Sequence, residues 1–163
     1  MFPEDLLAEA TALLAMLRAK GLKVATAESC TGGLIAGLLT EIPGSSDVVD
    51  RGFVTYSNEA KSELLGVDAA LIKAVGAVSE EVARAMAEGA LLHSHAQLAV
   101  AVTGIAGPGG ATPGKPVGTV WLALARRGGA VQSELLTLMG DRSAVREQTV
   151  QHALARLLGA ATG

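Results

Sequence analysis

The chain has 163 residues, 50% of them apolar and 18% charged, which describes a single domain over residues 1–163 and excludes two full-size domains or extended disorder. A net charge of −3 leaves no chain-wide basic surface, so nucleic acid is not expected as the main partner. One cysteine and three histidines without ligand spacing exclude an internal disulfide and argue against a metal site. No apolar run reaches the ~18 residues of a membrane span. A reduced, cytoplasmic protein without membrane association is expected. Aromatic residues make up only 2% of the chain, so Tyr56 and Trp121 stand out.

Pro3, Glu4 and Asp5 predict the first turn of a helix whose apolar face is Leu6, Leu7, Ala10, Leu13, Leu14 and Leu17, ending before Gly21. Residues 22–27 read as a short strand, followed by a small-residue turn, 28–33. Leu34, Ile35, Leu38, Leu39 and Ile42 mark the next helix, stopped by Pro43 and Gly44. Residues 51–56 have strand character, and Ser57 or Asn58 caps a short helix that carries Lys61 and ends at Gly66. Two helices follow over 68–75 and 79–93, the second opened by Ser79 with Glu80 and Glu81.

An apolar run at 97–103 leads into a Gly/Pro-rich loop, 104–118, long enough to suggest function. Residues 119–125 and 131–139 flank a turn and predict an antiparallel hairpin. Asp141 caps a last helix to about Leu158, and residues 160–163 look loose. The order implies a three-layer α/β/α sandwich with a mixed, mostly parallel sheet closed by the hairpin. The Ala- and Leu-rich first helix offers a face for a second subunit, so a homo-oligomer is expected.

Ser29 falls where an open α/β sheet places ligands, after a strand and ahead of a helix. Amides of Thr31, Gly32 and Gly33 would there face an anion or a developing oxyanion; the same pattern also suits a tight turn with Ser29 as a cap. A nucleophilic serine needs a base, and His93, His95 and His152 fall on helices away from strand ends. Lys61 is the better candidate because its helix follows the strand ending near Tyr56. It would have to be neutral, which requires burial or a neighbouring positive charge. Tyr56 then holds the lysine and relays a proton. The alternatives are a solvated surface lysine and a packed tyrosine.

Cys30 is a rival nucleophile if the helix start lowers its thiol pKa, or else a small buried side chain. The segment 109–116 imitates a phosphate loop but has Pro116 where Ser or Thr should hold magnesium, so an ATPase is rejected. No dinucleotide fingerprint is present. Arg142, at a helix start, opposes the macrodipole unless an anion binds there; an exposed arginine paired to Asp141 or Glu147 is the other reading.

Seven ordered blocks, TAESCTGG (26–33), PGSS (43–46), RGFVTYSNEAK (51–61), GAVSE (76–80), TGIAGPGG (103–110), KPVGTVW (115–121) and GDR (140–142), resemble the C-terminal domain family of CinA in its stand-alone form, PncC. The molybdenum-cofactor-like domain of longer CinA proteins is absent from the sequence. The resemblance implies a nicotinamide-nucleotide amidohydrolase that converts nicotinamide mononucleotide and water to nicotinate mononucleotide and ammonia, with no cofactor and no metal. It implies Ser29 as nucleophile, with Tyr56 and Lys61 as activating partners. It places Cys30, Thr31, Gly32, Gly33, Asn58, Thr103, Gly104, Ala106, Gly107, Pro108 and Arg142 around the nucleotide. A non-catalytic nucleotide-binding module serving competence or DNA repair is the alternative.

Overall fold

A computed structural model describes residues 1–163. Its elements in chain order are α1 (Glu4–Ala19), β1 (Val24–Glu28), α2 (Leu34–Glu41), a 3-10 turn (Ser45–Asp47), β2 (Val49–Val54), α3 (Asn58–Leu65), α4 (Ala69–Val75), α5 (Glu80–Leu92), β3 (Leu98–Gly104), β4 (Thr119–Arg126), β5 (Val131–Thr137) and α6 (Arg142–Thr162). Four helices start where a side-chain oxygen accepts an otherwise unpaired amide: Ser57 from Ala60, Asp68 from Ala70, Ser79 from Val82 and Asp141 from Ala144.

The strands form one sheet in the order β2-β1-β3-β4-β5. β1 pairs in parallel with β2 and β3, whereas β3–β4 and β4–β5 are antiparallel. Four strands therefore run one way and only β4 runs against them. The expected hairpin is present, but it does not close the sheet: β2 and β5 are free edges.

Alternation along the central strands separates two cores. Leu98, Val100 and Val102 of β3 and Val120, Leu122 and Leu124 of β4 face α1, α2 and α6, while Ala99, Ala101, Ala123 and Ala125 face α5. The alanine face lets α5 approach the sheet closely. Gly89 extends that tight packing to α3, since a Cβ there would lie 2.1 Å from the Leu65 carbonyl oxygen. Lys61 and Leu65, one turn apart, are both on the buried side of α3, so this crossing also sets where Lys61 sits.

Two expectations change. Residues 160–162 belong to α6 rather than a loose tail, because Lys20 and Arg126 donate to the carbonyls of Ala161 and Ala160 and satisfy the helix end. The exposed apolar face of α1 is narrower than expected: Leu6, Ala10, Leu13, Leu14 and Leu17 are buried against the rest of the chain, and Ala8, Ala12, Ala15 and Ala19 stay at the surface. No helix is long and apolar enough to cross a membrane.

Candidate active site

Ser29 directly follows β1, and its amide donates to Val102 of β3 at 3.0 Å. The chain then turns through Cys30 and Thr31 to Gly32 (φ +57°) and Gly33 (φ +105°) before α2 begins. Only glycine adopts these positive φ values without strain, so the two glycines are what allow so short a passage from strand to helix. At the neighbouring strand end, Thr55 leads into α3. The parallel register of β1 and β2 brings the two turns together at one edge.

Lys61 Nζ lies 3.0 Å from Ser29 Oγ and also donates to the carbonyl oxygens of Thr55 at 2.8 Å and Tyr56 at 3.4 Å. The lysine is 1% exposed. The ion pairs of the protein lie elsewhere, at Arg18–Asp47, Arg51–Asp50, Arg84–Glu80 and Arg156–Glu134. Burial without a carboxylate disfavours the ammonium form and holds the lysine below its ordinary pKa of 10.5. An amine that sheds its proton easily therefore stands within hydrogen-bond reach of an alcohol.

A cavity of about 230 Å³ opens over this pair, lined by Ser29, Cys30, Tyr56, Asn58, Lys61, Ala77, Val78, Thr103, Gly104, Ala106 and Arg142. The hydroxyl of Thr103 donates to the Ala77 carbonyl at 2.9 Å, tying β3 to the segment that forms the far wall. None of the three histidines lines the cavity, and no cluster of His, Cys, Asp and Glu has the arrangement to hold a metal ion.

Several expected roles are relocated. Tyr56 is 62% exposed and its hydroxyl accepts from Arg142 at 3.0 Å; it meets Lys61 through its backbone oxygen. A relay through the phenol is not the arrangement found. Arg142 also donates to the Gly107 carbonyl at 2.9 Å, so it pairs with neither Asp141 nor Glu147. Gly107 and Pro108 frame that contact without lining the cavity, and Thr31, Gly32 and Gly33, also expected around the nucleotide, do not line it either. The Gly32 amide is occupied by the Ser29 carbonyl at 3.0 Å, which removes it from the expected anion-binding trio. The amides of Thr31 and Gly33 have no protein acceptor. Cys30 is buried, and burial pushes its thiol up to about 11, against its reading as a reactive thiolate.

Two residues that the sequence left without a role hold this turn. Glu28 is 0% exposed and its carboxylate accepts from the Thr31 hydroxyl at 2.6 Å and from the amides of Ile35 at 2.8 Å and Ala36 at 3.0 Å. It occupies the positive end of α2. Arg146 of α6 donates to the carbonyls of Cys30 at 3.1 Å and Thr31 at 3.2 Å. The only local signal for Glu28 is an acid ending an otherwise apolar strand. Arg146 gives none, being over a hundred positions away.

A family model described as the CinA C-terminal domain matches residues 7–161. The chain belongs to this family. A CinA-like protein of Akkermansia muciniphila is 57% identical over 149 residues, covering 91% of this chain and 36% of the relative. Another, from Mycolicibacterium vanbaalenii, is 57% identical over 143 residues, covering 88% and 34%. The chain thus spans about a third of the length of these curated relatives. Among solved structures, the competence/damage inducible protein CihA from Agrobacterium tumefaciens superposes with a TM-score of 0.95 at 51% identity, covering 100% of this chain and 99% of that one. A CinA superfamily protein from Klebsiella pneumoniae gives 0.92 at 37% identity, covering 96% and 98%.

Proposed function

We propose that this CinA-family chain hydrolyses the carboxamide of nicotinamide mononucleotide, giving nicotinate mononucleotide and ammonia, with Ser29 as nucleophile and Lys61 as its base. The observation that carries the reading is the buried, carboxylate-free Lys61 amine 3.0 Å from Ser29 Oγ. An ordinary lysine is almost wholly protonated near neutrality, and desolvation raises the neutral fraction that base chemistry needs.

Neutral Lys61 takes the Ser29 proton as Oγ attacks the carboxamide carbon. The carbonyl π pair moves to oxygen, giving a tetrahedral oxyanion beside the turn. Its collapse breaks the C–N bond, and protonated Lys61 returns the proton to the departing ammonia. Water then attacks the acyl ester, its proton passing to Lys61 and on to Ser29 Oγ as nicotinate mononucleotide leaves. The pyridinium withdraws electrons from the carboxamide and favours the first step. Arg142, held across the cavity mouth by Tyr56 and Gly107, is the group assigned to the substrate phosphate. Binding energy from that remote phosphate is used in the transition state, so the riboside lacking it should be a poor substrate in kcat as well as KM.

The test is ammonia release from nicotinamide mononucleotide by wild type, Ser29→Ala and Lys61→Met. Turnover by wild type and its loss in both variants is expected. Undiminished turnover in Ser29→Ala removes the mechanism. Tight nucleotide binding by calorimetry without any turnover supports a non-catalytic module instead.

A further inference from the structure

We infer that Lys115 is a positioning residue for the substrate's ring: from outside the cavity it braces the wall made by Ala77 and Val78, and so sets which rings fit beside Ser29. The inference rests on the reaction proposed above, because the wall belongs to that reaction's cavity. The apolar lining there is Cys30, Tyr56, Ala77, Val78 and Ala106. A ring whose carboxamide reaches Ser29 has this lining to rest against.

Ala77 and Val78 lie in the connection between α4 and α5, and their amides donate to no protein oxygen. Val75 and Ala77 touch the smaller core, whereas Val78 packs on neither core. Two hydrogen bonds reach residues 75–78 from elsewhere in the fold. The Thr103 hydroxyl donates to the Ala77 carbonyl at 2.9 Å, and Lys115 Nζ donates to the Val75 carbonyl at 3.0 Å. The position of Val78 therefore depends on how firmly the main chain before it is anchored.

Lys115 suits that task. Val75 ends α4, where carbonyls lack helical partners and a cation is favoured. A Cβ on the next residue, Gly76, would stand 3.3 Å from Lys115 Nζ, so the ammonium lies against the main chain that leads to Ala77. No carboxylate competes for it.

The loop that delivers Lys115 is closed at its tip and at its root. Thr112 and Lys115 exchange main-chain bonds at 3.1 and 2.9 Å, Gly118 donates to Ile105 at 2.8 Å, and Ile105 donates to Thr119 at 2.9 Å. Pro113 and Pro116 fix two φ angles near the lysine. The segment that imitates a phosphate loop thus turns its lysine to a carbonyl at the root of the cavity wall.

The experiment measures ammonia release by wild type, Lys115→Met and Lys115→Arg. The substrates are nicotinamide mononucleotide and analogues with a methyl group at ring carbon 4, 5 or 6. A fixed apolar wall rejects a methyl group that points at it, on the scale of roughly 10- to 200-fold in kcat/KM for one carbon. Wild type is expected to reject at least one analogue on that scale. Lys115→Met should relax the rejection at the position facing the wall roughly five- to tenfold and leave the other positions as in wild type. On the parent nucleotide its KM should rise severalfold, with kcat within about threefold of wild type. Lys115→Arg, which keeps a cation within reach of a carbonyl, should retain more of the rejection than Lys115→Met.

Each preference is a ratio of kcat/KM values, so the folded fraction of a variant does not alter it. A wild type that accepts all three analogues as it does the parent overturns the inference while the amidase stands. So does a Lys115→Met enzyme whose preferences are unchanged or all fall together. Absence of ammonia from the parent nucleotide with wild type removes the reaction and this inference together.

Discussion

Arg142 bonds the Tyr56 hydroxyl at 3.0 Å, whereas Lys61 meets the same tyrosine only at its backbone oxygen. The phenol therefore serves the rim of the cavity and the main chain serves its floor. Tyr56→Phe should raise KM for nicotinamide mononucleotide roughly three- to tenfold, the scale of one ordinary net hydrogen bond because the pair is exposed to solvent, with kcat little changed. A collapse of kcat at constant KM would restore the phenol as a proton carrier.

The direction of the Lys61 shift sets the pH dependence of the proposed reaction. The neutral amine is the working form, so kcat/KM should rise with pH and level off above the folded-state pKa, which lies below the usual 10.5. Lys61→Met should lower the rate roughly 10²- to 10⁴-fold and abolish that rise.

The same buried amine bears on stability with a definite sign. Between its lowered folded pKa and 10.5, the unfolded chain binds more protons than the folded one, so stability attributable to Lys61 grows as pH rises through that interval. Below it, the folded protein carries the full cost of a buried ammonium. Lys61→Met is therefore expected to raise Tm most at the lower pH, with the gain shrinking as pH climbs toward 10.5. Melting curves across that range measure it; a gain that instead increases with pH contradicts the assignment.

Burial also governs Cys30. With its thiol raised to about 11, about one molecule in a thousand is thiolate at pH 8. Iodoacetamide at that pH should leave the native protein unlabelled by mass spectrometry and its turnover unchanged, with stoichiometric labelling only after denaturation.

Gly89 links packing to the site. A methyl group there would lie 2.1 Å from the Leu65 carbonyl, so α3 must move or the helix must distort. Gly89→Ala should cost about 2–4 kcal/mol in urea unfolding and slow turnover by displacing Lys61. Unchanged Cm and rate would show that the crossing has slack.

Much of this was legible in the sequence because it is local. Ser57, Asp68, Ser79 and Asp141 each stand immediately before the helix they cap, and the short distance from strand to α3 puts Lys61 at the same sheet edge as Ser29. The alternation of Leu98, Val100 and Val102 with Ala99 and Ala101 is invisible to a reading that treats the run as uniformly apolar. Arg146 could not be read because its partners are main-chain carbonyls, which leave no complementary side chain in the sequence. Position alone brings Tyr56 beside Lys61, but not the direction of its phenol, which bonds Arg142, a residue distant in the chain. The last turn of α6 depended in the same way on Lys20 and Arg126.

Glu28 neutralises the start of α2 from within, and this divides labour across the cavity. In the proposed reaction, discrimination of the substrate's anionic group then falls to replaceable side chains on the opposite rim. A variant library confined to Asn58, Val78 and Arg142 should thus be able to retune which acidic compound is accepted while the bond-breaking machinery stays untouched.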